Sequence, residues 1–190
     1  SRLSLDDNIA ATREVAELAH AADVPVEAEL GAIAGHESAP LMDYEELFAS
    51  RKGFTDIDEA RRFAAESGVD WLSVAFGNIH GAISVGARDK KKVTARLDIE
   101  HLKRLAAATN LPLVLHGGSG IDAECIREAV KAGICKINIA TTVRQAYEEG
   151  IKQSASTASK MVYDACRDLI EKELKISNSA DLIAASEDGE

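Results

Sequence analysis

The stretch Leu111–Asp122, LPLVLHGGSGID, decides the predicted fold, because it joins an apolar run to a histidine, a glycine-rich turn and a helical pattern. The apolar run is typical of a buried parallel strand, so His116 is expected where that strand ends. The glycines of the turn are Gly117, Gly118 and Gly120. They would let the backbone turn its N–H groups outward at the start of the next helix, where anions bind. The alternative is a structural histidine that only makes hydrogen bonds.

Two further segments end in the same way. Trp71–Gly81, WLSVAFGNIHG, is an apolar run that ends in His-Gly, and Cys135–Thr142, CKINIATT, ends in Asn, Thr and Thr. In a parallel α/β barrel all strands deliver their carboxyl ends to one face. We therefore expect His80, His116 and Asn138 to converge there.

Composition limits the classes of function. The 190 residues carry a net charge of −10, which argues against nucleic-acid or anionic-membrane partners, because both need clustered Lys and Arg. No apolar run approaches the roughly 20 residues of a membrane span, and the first residues lack a signal-peptide layout. Cys125, Cys135 and Cys166 show no CxxC spacing, so we expect reduced, buried thiols and a cytoplasmic protein.

Helical and strand patterns alternate along the chain. Strands are predicted at Val24–Leu30, Trp71–Phe76, Leu111–Leu115 and Ile134–Ile139, and helices at Asn8–Ala22, Ile57–Ser67, Asp98–Thr109, Asp122–Lys131, Thr142–Gln153 and Ala158–Leu174. Gly31–Phe54 is predicted to be a long loop and residues 177–190 an acidic disordered tail. Four βα units and a C-terminal helix predict an α/β fold, the C-terminal half of a (β/α)8 barrel of TIM type, over residues 1–176.

Several side chains carry expectations of burial or exposure. The first helix should bury Ile9, Val15, Leu18 and Ala19, the second Ala60, Phe63 and Ala64, and the last Met161, Ala165, Leu169 and Ile170. His20, His36 and His101 are interpreted as solvated, and Arg88–Lys92 as a solvated loop rather than a phosphate clamp. Glu27 and Glu29 are either the polar face of a strand or part of a site. The site is favoured, because both faces of a parallel strand are normally covered.

The chain resembles the class II, metal-dependent ketose-bisphosphate aldolases of the fructose- and tagatose-bisphosphate type. The matching segments are SRLSLDDN at 1–8, VEAELG at 26–31, GNIHG at 77–81, LVLHGGSG at 113–120 and GICKINIAT at 133–141. They occur in the family's order over about residues 1–153. The resemblance begins at the end of the family's fourth strand, so we expect half of a barrel. Its first and last strands are then expected to have unpaired edges, which favour association with another chain.

The resemblance implies the site residues. The zinc histidines would be His80 and His116, with Glu29 near the metal and Glu37 in proton transfer. The dihydroxyacetone phosphate moiety would be held by Gly81, Gly117, Gly118, Ser119, Asn138, Ile139, Ala140 and Thr141. A monovalent cation is a further candidate cofactor, and a homo-oligomer, a dimer or tetramer, is the expected assembly.

The sequence departs from the family pattern at two places. The family loop Gly-Gly-Glu-Glu-Asp is replaced by Ala34-Gly35-His36-Glu37-Ser38. The Asp-His-Gly turn that carries the family's catalytic aspartate and third zinc histidine does not occur in this sequence. Asn138–Thr141 reads Asn-Ile-Ala-Thr, which resembles tagatose-bisphosphate members more than fructose-bisphosphate members.

The predicted function is reversible cleavage of a ketose 1,6-bisphosphate into dihydroxyacetone phosphate and glyceraldehyde 3-phosphate, with zinc stabilising the enediolate charge. One alternative is a non-catalytic subunit or decayed phosphate-binding module that kept the turn and lost its acid–base residues. Another is a metal-free phosphate-binding barrel isomerase, which is disfavoured by two His-Gly strand ends in one chain.

Overall fold

The computed structural model of the protein describes residues 3–31, 44–78 and 95–178. The strands in these ranges are β1 Glu27–Leu30, β2 Trp71–Val74, β3 Leu113–Leu115 and β4 Ile134–Ile137. The helices are α1 Leu5–His20, α2 Tyr44–Ser50, α3 Ile57–Ser67, α4 Ile99–Thr109, α5 Ala123–Lys131, α6 Thr141–Gly150 and α7 Ala155–Asp168, and a π-helix, Leu169–Leu174, follows α7. The chain divides into two compact units, Ser1–Ile139 and Ala140–Glu190.

The first unit is built on a parallel sheet with strand order β1-β2-β3-β4. At least one helix lies between each pair of successive strands, as a parallel connection requires. The register pairs Glu29 with Ser73, Ser73 with Val114, and Val114 with Lys136. Because side chains alternate between the faces of a strand, this row of residues shares one face of the sheet.

The opposite face of the sheet forms the hydrophobic core. Leu72, Leu113 and Leu115 are fully buried, and so are Phe63 of α3 and Leu105 of α4. Burial of each such side chain contributes about 1.5–3 kcal/mol, so this layer supplies much of the stability of the first unit. None of the helices in the described ranges is long and apolar enough to span a membrane.

Local sequence sets several helix ends. Asp56 caps α3 by accepting hydrogen bonds from the backbone N–H groups of Asp58 and Glu59. Gly68 ends the same helix in the left-handed region with φ 73°. Asp98 and Asp122 cap α4 and α5 in the same manner, so the helix boundaries lie close to the predicted ones.

Some predictions about helices and strands are wrong. The segment Gly31–Phe54 contains the helix α2, whose seven residues are too few to show a period in the sequence. Strand β1 begins at Glu27 and not at Val24, which is 51% exposed.

The cysteines are also not buried: Cys135 is exposed, and Cys125 and Cys166 are half-buried.

The buried stripe of α1 differs from the predicted stripe. Ile9, Thr12 and Ala16 are buried, whereas Val15 and Leu18 are 54% and 71% exposed. A Cβ atom built on Gly68 would lie 3.4 Å from the Cβ of Ala16. Helix α1 therefore turns Ala16 toward the end of α3, where only a small side chain permits so close an approach.

The second unit packs α6 against α7. A Cβ atom on Gly150 would lie 2.4 Å from the Cα of Ala158, so the glycine permits direct backbone contact between the two helices. Of the predicted stripe of α7, Leu169 is buried, Met161 and Ala165 are half-buried, and Ile170 is 44% exposed. The change to π-helix at Leu169 shifts the residues that follow away from the α-helical period, which explains the exposure of Ile170.

Thr55 joins the carboxyl ends of β1 and β2. Its hydroxyl donates to the carbonyl of Leu30 at 2.6 Å and accepts from the N–H of Ala75 at 2.8 Å. The Thr55 carbonyl lies 2.8 Å from Nε2 of His101, which is only 6% exposed. The prediction that His101 is solvated is therefore wrong, because its ring satisfies a buried backbone carbonyl.

We expect Thr55→Val to lower the free energy of unfolding by about 2–4 kcal/mol, because two buried backbone groups lose their partner while side-chain volume is kept. Urea denaturation followed by circular dichroism measures this change. Thr109→Val is the matched control, since the buried Thr109 hydroxyl has only near neighbours in the chain as partners: it donates to the carbonyl of Leu105 and accepts, at 3.5 Å, from the N–H of Leu111. Equal losses from both variants would show that Thr55 does not hold the strands together.

Candidate active site

His116 follows β3 at the carboxyl edge of the sheet, as predicted, and its side chain is 18% exposed. Its Nδ1 lies 2.7 Å from Oε2 of Glu29, and its Nε2 lies 2.9 Å from Oε1 of Glu27. The imidazole therefore lies between two carboxylates of β1. The structure brings together His116 and Glu29, which the sequence singled out as site residues, and Glu27, for which the sequence favoured a site over the polar face of a strand.

Lys136 completes this group from β4. Its Nζ donates to Oε2 of Glu27 at 2.7 Å. Burial alone would raise the pKa of Glu27, but hydrogen bonds from Lys136 and His116 outweigh it and lower the pKa below its ordinary value. Sequence analysis missed Lys136. The available signal was its place two residues before Asn138, which puts both residues on the same face of one strand.

Asn78 fixes the backbone of His116. Its side-chain Nδ2 donates to the His116 carbonyl at 2.9 Å, and its Oδ1 accepts from the N–H of Phe76 at 2.9 Å. Asn78 is 4% exposed, so both hydrogen bonds are shielded from water. The amide thus joins the end of β2 to the end of β3. The sequence motif containing Asn78 was noted, but its amide was not assigned a role.

The glycine turn after His116 lies against the end of β4. Gly117 has φ 73°, which favours glycine. A Cβ atom on Gly118 would lie 2.7 Å from Cγ2 of Ile137 and 3.1 Å from Cγ1 of Ile139. The Gly118 N–H donates to the carbonyl of Asn138 at 3.0 Å, so this N–H is used within the protein and does not face outward as predicted.

The other predicted site residues have different surroundings. Ser119 is 5% exposed, Asn138 is exposed and Ile139 is half-buried, and all three belong to the first unit. Ala140 and Thr141 begin the second unit, where Thr141 is the first residue of α6. Glu37, His80 and Gly81 lie outside the described residues, as do His36 and Arg88–Lys92.

Comparison with known proteins agrees with the partial barrel fold. The family described as fructose-bisphosphate aldolase class-II matches residues 1–182. The solved YdjI aldolase from Escherichia coli K12 is 32% identical and has a TM-score of 0.70; the match covers 95% of this chain and 60% of that one. A related structure from Coccidioides immitis is 26% identical with a TM-score of 0.72, over 94% of this chain and 62% of that one.

A fructose-bisphosphate aldolase from Campylobacter jejuni shares the fold, with 22% identity, a TM-score of 0.60, and coverage of 96% of this chain and 58% of that one. The chain thus spans about 60% of the length of the solved structures that it matches. Fold and site together define part of a TIM barrel with a histidine and a glycine turn at its carboxyl face. The chain belongs to the class II fructose-bisphosphate aldolase family.

Members of this family are generally metal-dependent, which makes the side chains around His116 candidate metal ligands. Imidazole nitrogen and carboxylate oxygen are donors that zinc accepts, and His116, Glu27 and Glu29 supply both types. In the described ranges no three His, Cys, Asp or Glu side chains are already arranged around one point. The two carboxylates contact opposite nitrogens of the His116 ring. The residues present fit a metal in donor type.

We expect Asn78→Asp to destabilise the protein by about 1–3 kcal/mol, because the aspartate cannot donate and leaves the buried His116 carbonyl unpaired. Asn110→Asp is the control, since Asn110 is an exposed helix C-cap. The free energy of unfolding in urea gives the comparison. If Asn78→Asp costs no more than the control, the amide does not fix the end of β3.

Proposed function

We propose that the protein catalyses the reversible aldol cleavage of a ketose 1,6-bisphosphate to dihydroxyacetone phosphate and glyceraldehyde 3-phosphate. Membership of the class II aldolase family supports an aldolase-type enzyme. The observation that carries the proposal is the group around His116, a strand-end imidazole held by Glu27 and Glu29 directly before a glycine turn. This arrangement provides metal-ligand chemistry beside a candidate phosphate-binding turn.

The proposed metal is zinc, held by His116 and His80 with Glu29 nearby. When bound, zinc supplies Lewis-acid stabilisation of negative charge that develops on the substrate oxygens. A metal held at one ring nitrogen of His116 would leave the other nitrogen hydrogen-bonded to a carboxylate of β1. A monovalent cation remains a further candidate cofactor.

The proposed phosphate-binding residues are those carried by the family resemblance: Gly81, Gly117, Gly118, Ser119, Asn138, Ile139, Ala140 and Thr141. Gly118 contributes by permitting the close approach of the turn to β4, since its N–H already donates to Asn138. The hydroxyls of Ser119 and Thr141 are the proposed donors to the phosphate. A phosphate held away from the reacting carbons lets its binding energy orient the substrate.

Proton transfer is proposed for Glu37, which follows β1 in the sequence. The sequence holds no Asp-His-Gly turn, so the group that would move the C4 hydroxyl proton is not identified in it. The alternative is a non-catalytic subunit or a decayed phosphate-binding module. General acid–base catalysis contributes about 10²–10⁴ in rate, so loss of this group would separate binding from catalysis.

The proposed epimer of the substrate is tagatose 1,6-bisphosphate. Ala140 stands where fructose-bisphosphate members commonly carry Asp, and a methyl group cannot accept a hydrogen bond from a sugar hydroxyl. Comparison of kcat/KM for the two epimers tests this choice. A strong preference for the fructose epimer would contradict it.

The main experiment compares wild type with His116→Ala in the complete polypeptide. The protein is stripped of metal, resupplied with Zn²⁺ and assayed for cleavage of both epimers. We expect zinc-dependent cleavage by wild type and none detectable by His116→Ala, with circular dichroism unchanged. His20→Ala is the matched control, because the half-exposed His20 ring forms an ion pair with Asp70 and is not among the proposed site residues.

The outcomes separate the two functions. Full activity of His116→Ala would remove His116 from the metal site. Wild type that binds dihydroxyacetone phosphate but cleaves neither epimer would support the non-catalytic alternative.

We expect Ser119→Ala and Thr141→Val each to raise KM by a factor that corresponds to roughly 1–3 kcal/mol, because each removes a hydroxyl donor from a bound dianion. Steady-state kinetics with each epimer give KM and kcat. Ser50→Ala is the control, since the exposed Ser50 hydroxyl donates only to its own helix. An unchanged KM in both variants would show that these hydroxyls are structural.

Four further assignments are proposed from sequence and family alone. The protein is a homo-oligomer, a dimer or tetramer, acts in the cytoplasm and takes a phosphorylated sugar as its partner. Residues 1–176 form the aldolase part and residues 177–190 an acidic tail. Size-exclusion chromatography with light scattering measures the assembly directly.

A further inference from the structure

Lys136 lies at one end of a continuous series of polar contacts that crosses the sheet. From Lys136 on β4 the series passes to Glu27 on β1, at 2.7 Å, and then to Nε2 of His116 after β3, at 2.9 Å. It ends at Glu29, 2.7 Å from Nδ1 of the same ring. Both oxygens of Glu27 are thereby occupied, one by the ammonium and one by the imidazole.

The register explains how Lys136 reaches this group. Lys136 pairs with Val114, and Val114 lies two residues before His116 in the chain. The Lys136 side chain therefore shares the sheet face that carries Glu29. Strands β1 and β4 are the outer strands of the sheet and would be about 14 Å apart if the sheet were flat. The Lys136–Glu27 pair therefore spans the whole face and joins residues 109 positions apart in the chain.

The ion pair is poorly placed to be a major source of stability. The Lys136 side chain is 46% exposed and that of Glu27 is 21% exposed, so water screens their attraction. Exposed pairs of this kind contribute little to the free energy of unfolding. The ion pair instead orients Glu27. A Glu side chain loses rotamer freedom when both of its oxygens are held, so the oxygen that faces His116 stays in one position.

We propose that Lys136 is a positioning residue of the metal site, which acts through Glu27 to fix the orientation of the His116 imidazole. This inference rests on the proposed function for its metal. Glu27 holds Nε2, so Nδ1 and Glu29 remain on the other edge of the ring, where a metal can take both. Partners that hold a metal-binding histidine by its other nitrogen typically change metal affinity 10–100-fold when removed.

The test uses Lys136→Met, which keeps the length and apolar stem of the side chain, and Lys136→Arg, which keeps the charge and donors. Lys160→Met is the matched control, because Lys160 forms an exposed ion pair with Asp164 in the second unit. The first measurement is the NMR signal of the His116 Nε2–H proton in the metal-free protein. The second is Zn²⁺ affinity by competition with a chelator, and the third is kcat with KM.

We expect Lys136→Met to lose the Nε2–H signal to exchange with water and to bind Zn²⁺ about 10–100-fold more weakly. Its kcat should fall by more than KM changes, while stability stays near that of Lys160→Met. Lys136→Arg should restore the NMR signal and the Zn²⁺ affinity. A merely structural lysine would change stability and leave the NMR signal intact.

An unchanged His116 signal and unchanged Zn²⁺ affinity in Lys136→Met would overturn the inference. The inference and the proposed function can fail separately. A wild-type chain that cleaves neither epimer refutes the proposed function, while the NMR signal of metal-free protein still decides the role of Lys136. Loss of the signal in Lys160→Met as well would also overturn the inference, since a remote lysine would then have the same effect.

Discussion

The parallel register of four short strands is the constraint on which the rest of the first unit depends. Because Glu29, Ser73, Val114 and Lys136 stand opposite one another, a slip of one residue on any strand would exchange its two faces. Leucines that now pack on the helices would meet carboxylates, and charges would enter the core. Burial of the apolar face therefore fixes how the strands pair. That pairing in turn fixes the positions of the polar side chains on the other face.

Two buried side chains hold that register at the carboxyl edge, where regular strand pairing has ended. Thr55 joins the end of β1 to the end of β2, and Asn78 joins the end of β2 to the backbone of His116. Their effect is transmitted through backbone carbonyl and N–H groups, so the position of the imidazole depends on polar groups buried beneath it.

The sequence predicted what repeats or has a local signal. The alternation of strands and helices followed from hydrophobic periodicity, and the end of α3 at Gly68 followed from a residue that favours the left-handed region. Helix α2 was missed because seven residues show too little periodicity, and His101 was misplaced because its partner is a backbone carbonyl 46 residues away. Glu29 and His116 were found through motifs. Lys136 was not found, since its partner Glu27 lies 109 residues away and only the pairing of the four strands brings the two side chains together.

The polarity of one sheet face is itself an argument about function. Parallel strands are normally apolar on both faces, and even partly shielded charges lose some hydration that a water-screened ion pair does not recover. Here one face carries Glu27, Glu29 and Lys136, and the hydroxyl of Ser73 is buried without a hydrogen-bond partner among the described residues. An apolar replacement would serve packing better, so stability alone does not account for these residues. A charged ligand on this face would account for the arrangement, because its binding energy would offset the stability that polar residues cost the fold.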